Sequence, residues 1–170
     1  MPSTARDALT AIAALLAPGN QDVADRVTHA HTDPDAYLRD HADRLDERGI
    51  DEPTEDLAWI AMVDALTDHG LLAEVDWKED PAEILSQLQA LNPAPGTWAW
   101  VAAANTDLAT YDFLELAGAN LQTTGTALAV LDIESDCYPL VLLPTDHTRE
   151  LVALAETAGF TAAILATATK

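Results

Sequence analysis

Basic residues are scarce in this chain. Its 170 residues include eight lysines and arginines against 29 aspartates and glutamates, which gives a formal net charge of -21. The lysines are Lys78 and Lys170. Nucleic acids and anionic lipid surfaces attract proteins largely through clustered bases, and this sequence has no basic run. We therefore expect it to bind neither nucleic acid nor a membrane surface.

Cysteine and long apolar runs are also scarce. The one cysteine, Cys137, cannot form an internal disulfide. The longest stretch without a charged residue, 84–106, contains several Asn, Gln, Pro and Gly residues and does not suit a membrane-spanning helix. The first 17 residues have the pattern of an amphipathic helix rather than a signal sequence. These features predict a protein of the reducing cytoplasm.

Familiar catalytic motifs are missing as well. The sequence has no G-x-S-x-G elbow, Walker loop, dinucleotide fingerprint, C-x-x-C pair or H-E-x-x-H helix. No catalytic residue, cofactor or metal ligand is therefore predicted. An enzyme would have to work without a recognisable motif.

Apolar residues are plentiful, at 49% of the chain, and they recur at regular spacing. This length and composition suit one folded domain with a sizeable core. We expect a helical half over about 1–92 and an α+β half over about 97–170. The predicted fold class is α+β.

The helical half has two matching helix ends. With Gly49 and Gly70 just past their helices, Leu45 would touch Ile50, and the same spacing recurs around Gly70, as in a Schellman motif. Asp33 and Pro34 mark the start of the first helix. The pattern predicts a helical hairpin around 33–70.

The spacing of the apolar residues changes in the second half of the chain, from a helical pattern to short apolar runs typical of strands. Two apolar runs, 126–133 and 138–143, flank an acidic turn and indicate a β-hairpin. A helix ending at Gly159 and a last strand over 160–166 follow. Because a strand–helix–strand crossover normally joins parallel strands, we expect a small β-β-α-β mixed sheet packed against the helices.

A ligand site could lie between the two halves. Asp76, Trp77 and Lys78 place the chain's only internal lysine beside a carboxylate and an indole. In the hairpin, Asp132, Glu134 and Asp136 alternate, so extended backbone would project all three to one side, as a cation site requires. A small enzyme or ligand-binding domain with this cleft is the alternative hypothesis. Its candidate binding residues are Asp76, Trp77, Lys78, Asp132, Asp136 and Tyr138.

Other chemistry-bearing residues have simpler interpretations. Trp77 could be a core residue, and the helix start at Asp80 explains part of the acidic segment around it. His29, His31 and His41 differ in helix face or helix, so they suit solvent-facing positions better than a metal site. Cys137 and His147 would make a thiol nucleophile only if the fold brought them together.

The acidic surplus is concentrated between Asp33 and Asp56, where ten acids face three arginines, a local net charge of -7. Asp35 with Arg39, and Asp40 with Arg44, are expected to pair along a helix. The remaining acids predict a face that binds a basic protein, since complementary potentials speed encounter. The residues of this acidic face are Asp40, Asp43, Asp46, Glu47 and Asp51.

The charge has a second explanation. Residues 1–85 carry a net charge of -14 and residues 86–170 carry -7, so both halves are acidic. A surface rich in aspartate and poor in lysine could reflect an intracellular environment of high salt, with no partner implied. The partner and salt hypotheses both remain open at this point.

Three ordered motifs resemble an uncharacterised bacterial family known only as a domain of unknown function. They are residues 45–51 (LDERGID), residues 76–80 (DWKED), and residues 131–140, which contain LD, SD and YPL. The resemblance covers roughly Asp33 to Phe160 and implies no activity. In that family a serine usually stands where this chain has Cys137, which counts against a thiol nucleophile. The C-terminal hairpin alone is similar to that of small bacterial immunity proteins, which neutralise toxins.

Overall fold

A four-stranded sheet lies between two layers of helices. The computed structural model describes residues 4–104 and 106–166. Its helices are α1 (Ala5–Leu16), α2 (Gln21–Thr32), α3 (Pro34–Asp40), α4 (Ala42–Glu47), α5 (Leu57–Asp68), α6 (Pro81–Leu91), α7 (Thr110–Gln122) and α8 (Thr148–Ala158), with 3-10 helices over Pro95–Ala103 and Thr145–His147. Its strands are β1 (Ala73–Asp76), β2 (Thr126–Asp132), β3 (Cys137–Pro144) and β4 (Thr161–Leu165). The predicted α+β class is confirmed.

The sheet order is β1-β3-β2-β4, and every neighbouring pair is antiparallel. The prediction of a mixed sheet was wrong. The helix α8 does connect two strands that run in the same direction, β3 and β4. However, β2 lies between them and runs opposite to both, so no parallel pair forms.

The two faces of the sheet bury alternate residues of the same strands. On one face, Ala129 and Leu131 of β2 pack with α1, α2, α5 and α8. On the other face, Leu128 and Val130 pack with α6, α7 and Trp98 of the longer 3-10 helix. This alternation follows from the period of two in an extended strand. Helices α1, α2 and α5 therefore cover one side of the sheet, and α6, the last helix of the predicted helical half, lies on the other side.

Helix α5 is the most buried element on that side. All ten of its residues from Leu57 to Leu66 are buried, and it packs mainly against α2. The indole nitrogen of Trp59 donates a hydrogen bond to the Asp132 carbonyl (3.1 Å), and its ring stacks on Phe160 (5.1 Å between centroids). These contacts tie α5 to the ends of β2 and β4.

Both predicted helix ends are confirmed. Gly49 and Gly70 have φ values of +76° and +70°, a conformation that favours glycine. The amide of Ile50 donates to the Leu45 carbonyl (2.9 Å), and that of Leu71 donates to the Leu66 carbonyl (2.8 Å). These are the hydrogen bonds of the Schellman motif.

The first arm of the predicted hairpin over 33–70 needs correction. The segment 33–49 forms two short helices because His41 leaves helical geometry, with φ -123° and ψ 28°. At this break the His41 ring stacks on Tyr37, with centroids 4.2 Å apart. The long antiparallel partner of α5 is α2 instead. Helix α4 contacts α5 through the ion pairs described below.

The capping signals in the sequence account for some of the helix starts. The Asp33 carboxylate accepts from the amide of Ala36 (3.1 Å), as predicted for a cap. Helix α5 begins at Leu57 with no side-chain cap. The stretch 97–103 belongs to a 3-10 helix that ends at Ala103, and Asn105 lies outside the described residues.

Across residues 4–104 and 106–166, none of the helices has both the length and the apolar character that crossing a bilayer requires.

Gly118 of α7 should be sensitive to substitution. A Cβ atom there would lie 1.9 Å from the backbone oxygen of Leu165 in β4. Gly118→Ala should lower the free energy of unfolding by about 1–3 kcal/mol, the usual cost of overpacking, despite alanine's better helix propensity. Denaturant unfolding measures this change.

Gly96→Ala is the matched control, because a Cβ at Gly96 meets no atom within 4 Å. It should change stability by less than about 0.5 kcal/mol. A Gly118→Ala protein as stable as the wild type would mean that α7 and β4 are not in this contact.

Candidate functional site

The predicted acidic face is a continuous stretch of exposed side chains on α3, α4 and the loop after them. All five of its members are exposed: Asp40, Asp43, Asp46, Glu47 and Asp51. Within the described residues, Asp40 lies 4.0 Å from His29, and no ion pair within 4 Å involves the other four. The face therefore presents largely uncompensated carboxylates to solvent.

Two of the three arginines in this segment do not neutralise the face. Arg44 donates to Asp68 on α5 (2.7 Å) rather than pairing with Asp40, as the helical spacing had predicted. Arg48 reaches further inward and contacts both α5 and β1. Their charges are thus paired with carboxylates of α5 and β1.

Asp64 explains why these arginines turn inward. It lies on α5 with no exposed surface, and a buried carboxylate needs a partner to offset lost hydration. Arg48 donates to its Oδ1 from Nη2 (2.6 Å) and Nε (3.1 Å), and Arg44 Nη2 lies 3.5 Å away. The other oxygen, Oδ2, has no hydrogen-bond partner among the described residues.

Arg48 joins three elements. Its guanidinium also donates to Glu74 of β1 from Nη2 (2.7 Å) and Nη1 (3.0 Å), so one side chain holds α4, α5 and the sheet edge. Hydrogen bonding to Glu74 and Asp64 raises the pKa of Arg48 above its ordinary value, although burial opposes this shift. The cation stays charged in the folded protein.

A second set of ion pairs joins α2 to α5. Arg26 lies 2.9 Å from Asp68, and His69 lies 2.7 Å from Asp22. Burial acts to raise the pKa of Asp68, but hydrogen bonds from Arg44 and Arg26 outweigh it and lower that pKa. The hydrogen bond with His69 lowers the pKa of Asp22. The folded state therefore favours the ionised carboxylates.

The histidines expected to face solvent divide into two groups. His31 is exposed, whereas His29 and His41 pack their rings against the buried Tyr37. Burial, with Arg26 nearby, lowers the pKa of His41. Burial and the charge of Asp64 raise the pKa of Tyr37. Tyr37 and His41 thus lie close enough to Arg26 and Asp64 to feel their charges.

A cleft of about 510 Å³ opens at the end of the sheet, between the hairpin, the start of α5 and the end of α8. Four carboxylates line it, together with Phe160: Glu55, Asp56, Asp132 and Glu134. Glu134 takes a positive φ of 57°, and its amide donates to the Asp132 carboxylate (2.8 Å). The hairpin acids therefore follow a turn rather than the extended row expected from their alternation.

The other candidate binding residues lie at the β1 edge of the sheet. The Trp77 amide donates to the Asp136 carbonyl (3.0 Å), and the Lys78 ammonium lies 4.5 Å from the centroid of the Trp77 ring. Trp77 is not a core residue, since it is 50% exposed. Asp76 accepts from the amide of Lys78 (2.9 Å). These residues come together, but they do not line the cleft that contains Asp132.

Tyr138 completes this edge patch. It pairs with Val75 across β1 and β3, and its ring lies 5.7 Å from that of the partly exposed Tyr111. The structure thus separates the predicted binding residues into Asp132 at the cleft and the rest at the β1 edge.

The structure separates Cys137 from His147. Cys137 begins the eight-residue strand β3, which spans roughly 24 Å at 3.3–3.4 Å per residue, and His147 follows the other end of that strand. Burial, with Glu74 and Asp76 nearby, raises the pKa of the Cys137 thiol. A raised pKa keeps the thiol protonated, which is opposite to the requirement of a nucleophile. Among residues 4–104 and 106–166, no three His, Cys, Asp or Glu side chains are grouped to hold a metal ion.

One comparison with known proteins is informative. The sequence model of a family described as a domain of unknown function, DUF6630, matches residues 8–166. The chain belongs to this family. As a DUF6630 protein it inherits no assigned activity, and no curated protein or solved structure matches it significantly. The chemistry of the DUF6630 fold must therefore be inferred from its own residues.

The buried ion pairs were missed by sequence reasoning, although a signal was present. Asp64 is the one charged residue in the apolar run 57–66 of this DUF6630 chain. A lone acid on a helix that is buried on all sides indicates a paired internal charge. Spacing along the chain could not identify the partner arginine. Arg48 lies outside α5 and meets Asp64 only in the folded chain, where it also contacts Glu74, 26 residues away.

The ion pairs of α2 and α5 predict a pH-dependent stability. A carboxylate with a lowered folded pKa stabilises the protein above its unfolded pKa of about 3.9, and this contribution is lost as pH falls through the folded value. Asp68→Asn should lower the free energy of unfolding by about 1 kcal/mol at neutral pH, a figure discounted because Asp68 is partly exposed. The difference from the wild type should shrink below about pH 4.

Denaturant titrations at several pH values test this. Asp25→Asn, on the exposed side of α2, is the control and should leave the pH profile nearly unchanged. If the cost of Asp68→Asn were the same at pH 3 and pH 7, the charge of Asp68 would not be the source of its contribution.

Proposed function

We propose that this chain is a non-enzymatic, acidic cytoplasmic protein that binds a basic protein partner, in the manner of bacterial immunity proteins. The binding surface is the acidic face of α3, α4 and the following loop. Its central residues are Asp40, Asp43, Asp46, Glu47 and Asp51.

One observation carries the proposal: two of the three arginines in this segment, Arg44 and Arg48, turn away from the face, and Arg39 is the one that stays exposed beside Asp40. Arg44 and Arg48 hydrogen-bond to Asp68, Asp64 and Glu74, and they are largely withdrawn from solvent. An ordinary helix surface would use such arginines in pairs four residues apart. Here the surface carboxylates keep their charge exposed, which supports an external cation as their counterpart.

The hydrogen bonds of Arg48 beneath the acidic face also favour a fixed conformation of that face. Arg48 holds α4 to α5 and β1 through four hydrogen bonds, so the short helix has an anchored base. Side chains on an anchored helix lose less conformational entropy on binding than side chains on a mobile one. A field of one sign should speed the encounter with a basic protein and make that rate sensitive to salt.

The acidic cleft extends the same electrostatic character around the molecule. Glu55 follows the acidic face in sequence and lines the cleft with Asp132 and Glu134. The β-hairpin beside the cleft is the part that resembles immunity proteins. A partner large enough to span both regions would therefore meet carboxylates throughout.

The test compares two variants of equal charge. The first neutralises the face by D40N, D43N, D46N, E47Q and D51N. The control neutralises five exposed acids elsewhere, by D7N, D25N, E83Q, D112N and D146N. Proteins captured from a native-host lysate by wild type and control, but not by the face variant, should then bind purified chain with an association rate that falls as salt rises.

Equal capture by both variants would contradict the proposal, as would binding insensitive to salt. The alternative of salt adaptation makes a different prediction, because it needs no partner. In that case melting temperature should rise strongly between low and molar potassium chloride, and the two variants should show similar changes in this salt dependence.

A further inference from the structure

We infer that the opposite edge of the sheet, formed by β4 and the outer face of α8, binds a second copy of the same chain. This surface lies apart from the acidic face and does not depend on the proposed function. Three features of the described residues carry the inference: an unprotected edge strand, an apolar groove beside it, and charges whose order is self-complementary.

The two edge strands differ in their protection. The β1 edge has four residues, of which Glu74 and Asp76 are charged, and charge on an edge strand discourages pairing with another chain. The β4 edge, Thr161–Leu165, carries no charge and no proline. No strand in the described part of the chain pairs with its outer side. Its backbone amides and carbonyls thus offer a template for another strand.

A groove of about 290 Å³ runs beside β4 and is lined by Thr148, Arg149, Val152, Ala153, Glu156 and Ile164. Its middle is apolar, since Val152, Ala153 and Ile164 are partly or fully exposed side chains without polar atoms. Because the first five residues fall at helical spacing on α8, they form one stripe along the helix. The stripe and Ile164 of β4 line the same groove, so this face of α8 and the strand are adjacent.

The charge of this surface is unusual for so acidic a protein. Between Glu156 and Lys170 the sequence has no charged residue. Arg149 stands at one end of the α8 stripe and Glu156 at the other, seven residues or about 10 Å apart. The lining of the groove is therefore neutral overall, although the whole chain carries a net charge of -21.

A two-fold axis through the middle of β4 satisfies all three features at once. It would pair β4 with its copy in antiparallel register and extend the sheet to eight strands. The same axis places the two α8 helices antiparallel on one face, so Arg149 of each copy meets Glu156 of the other. Two-fold interfaces require such self-complementarity, whereas two copies of the acidic face would repel one another.

Sedimentation of the full chain at about 0.15 M salt, where acids far from the interface are largely screened, tests the dimer. The wild type should shift from a particle of 18.1 kDa to one of twice that mass as concentration rises through the micromolar range. Arg149→Glu and Glu156→Arg should each raise the dimer dissociation constant at least about tenfold, because each places like charges opposite one another. The double swap should restore it to nearly the wild-type value.

Matched controls separate this surface from a general charge effect. Arg6→Glu and Glu83→Arg alter exposed residues of α1 and α6 by the same charge and should leave dimerisation nearly unchanged. Hydrogen exchange of the 161–165 amides should slow as the dimer forms. A chain that stays monomeric at high concentration would overturn the inference. So would a dimer that Glu156→Arg tightens, or one that the double swap does not restore.

Discussion

The pairing of Asp64 with Arg48 is the interaction on which this structure depends. Helix α5 is buried along nearly its whole length, and Asp64 is the charge within that buried stretch. Its carboxylate can be accommodated only beside a cation, and Arg48 is positioned by the end of α4 to supply one. By also binding Glu74, the same guanidinium fixes α4 against the edge of the sheet. The helical half and the strands are thereby held in one arrangement.

The same pairing shapes the electrostatics of the surface. A chain with eight bases has few to spare, and Arg26, Arg44 and Arg48 all contact carboxylates of α5. The acids of α3, α4 and the next loop are left without those counterions. An internal requirement of the fold thus produces an external field, which we propose a basic partner recognises. At the opposite edge of the sheet, β4 and α8 form a groove whose lining is neutral overall and suited to self-association.

Local features of the fold could be predicted from the sequence, and long-range ones could not. The helix ends at Gly49 and Gly70 depend on residues within one turn, so spacing alone revealed them. The central position of β2 depends on pairing between distant segments, which spacing along the chain does not reveal. The sheet was therefore wrongly expected to be mixed. The five acids of the predicted face are exposed, but Arg44 was assigned to Asp40 because helical spacing cannot show a partner on another helix. The candidate binding residues separated for the same reason, since hairpin and sheet edge meet only in the folded chain.

A double-mutant cycle between Arg48 and Asp64 tests this account most directly. If the buried pair organises the fold, Arg48→Met should lower the free energy of unfolding by about 3–5 kcal/mol, because it leaves Asp64 poorly compensated. In an Asp64→Leu background the same substitution should cost at least about 2 kcal/mol less, since no buried carboxylate then needs a cation. An equal cost of Arg48→Met in both backgrounds would show that the two residues are not coupled and would contradict the account.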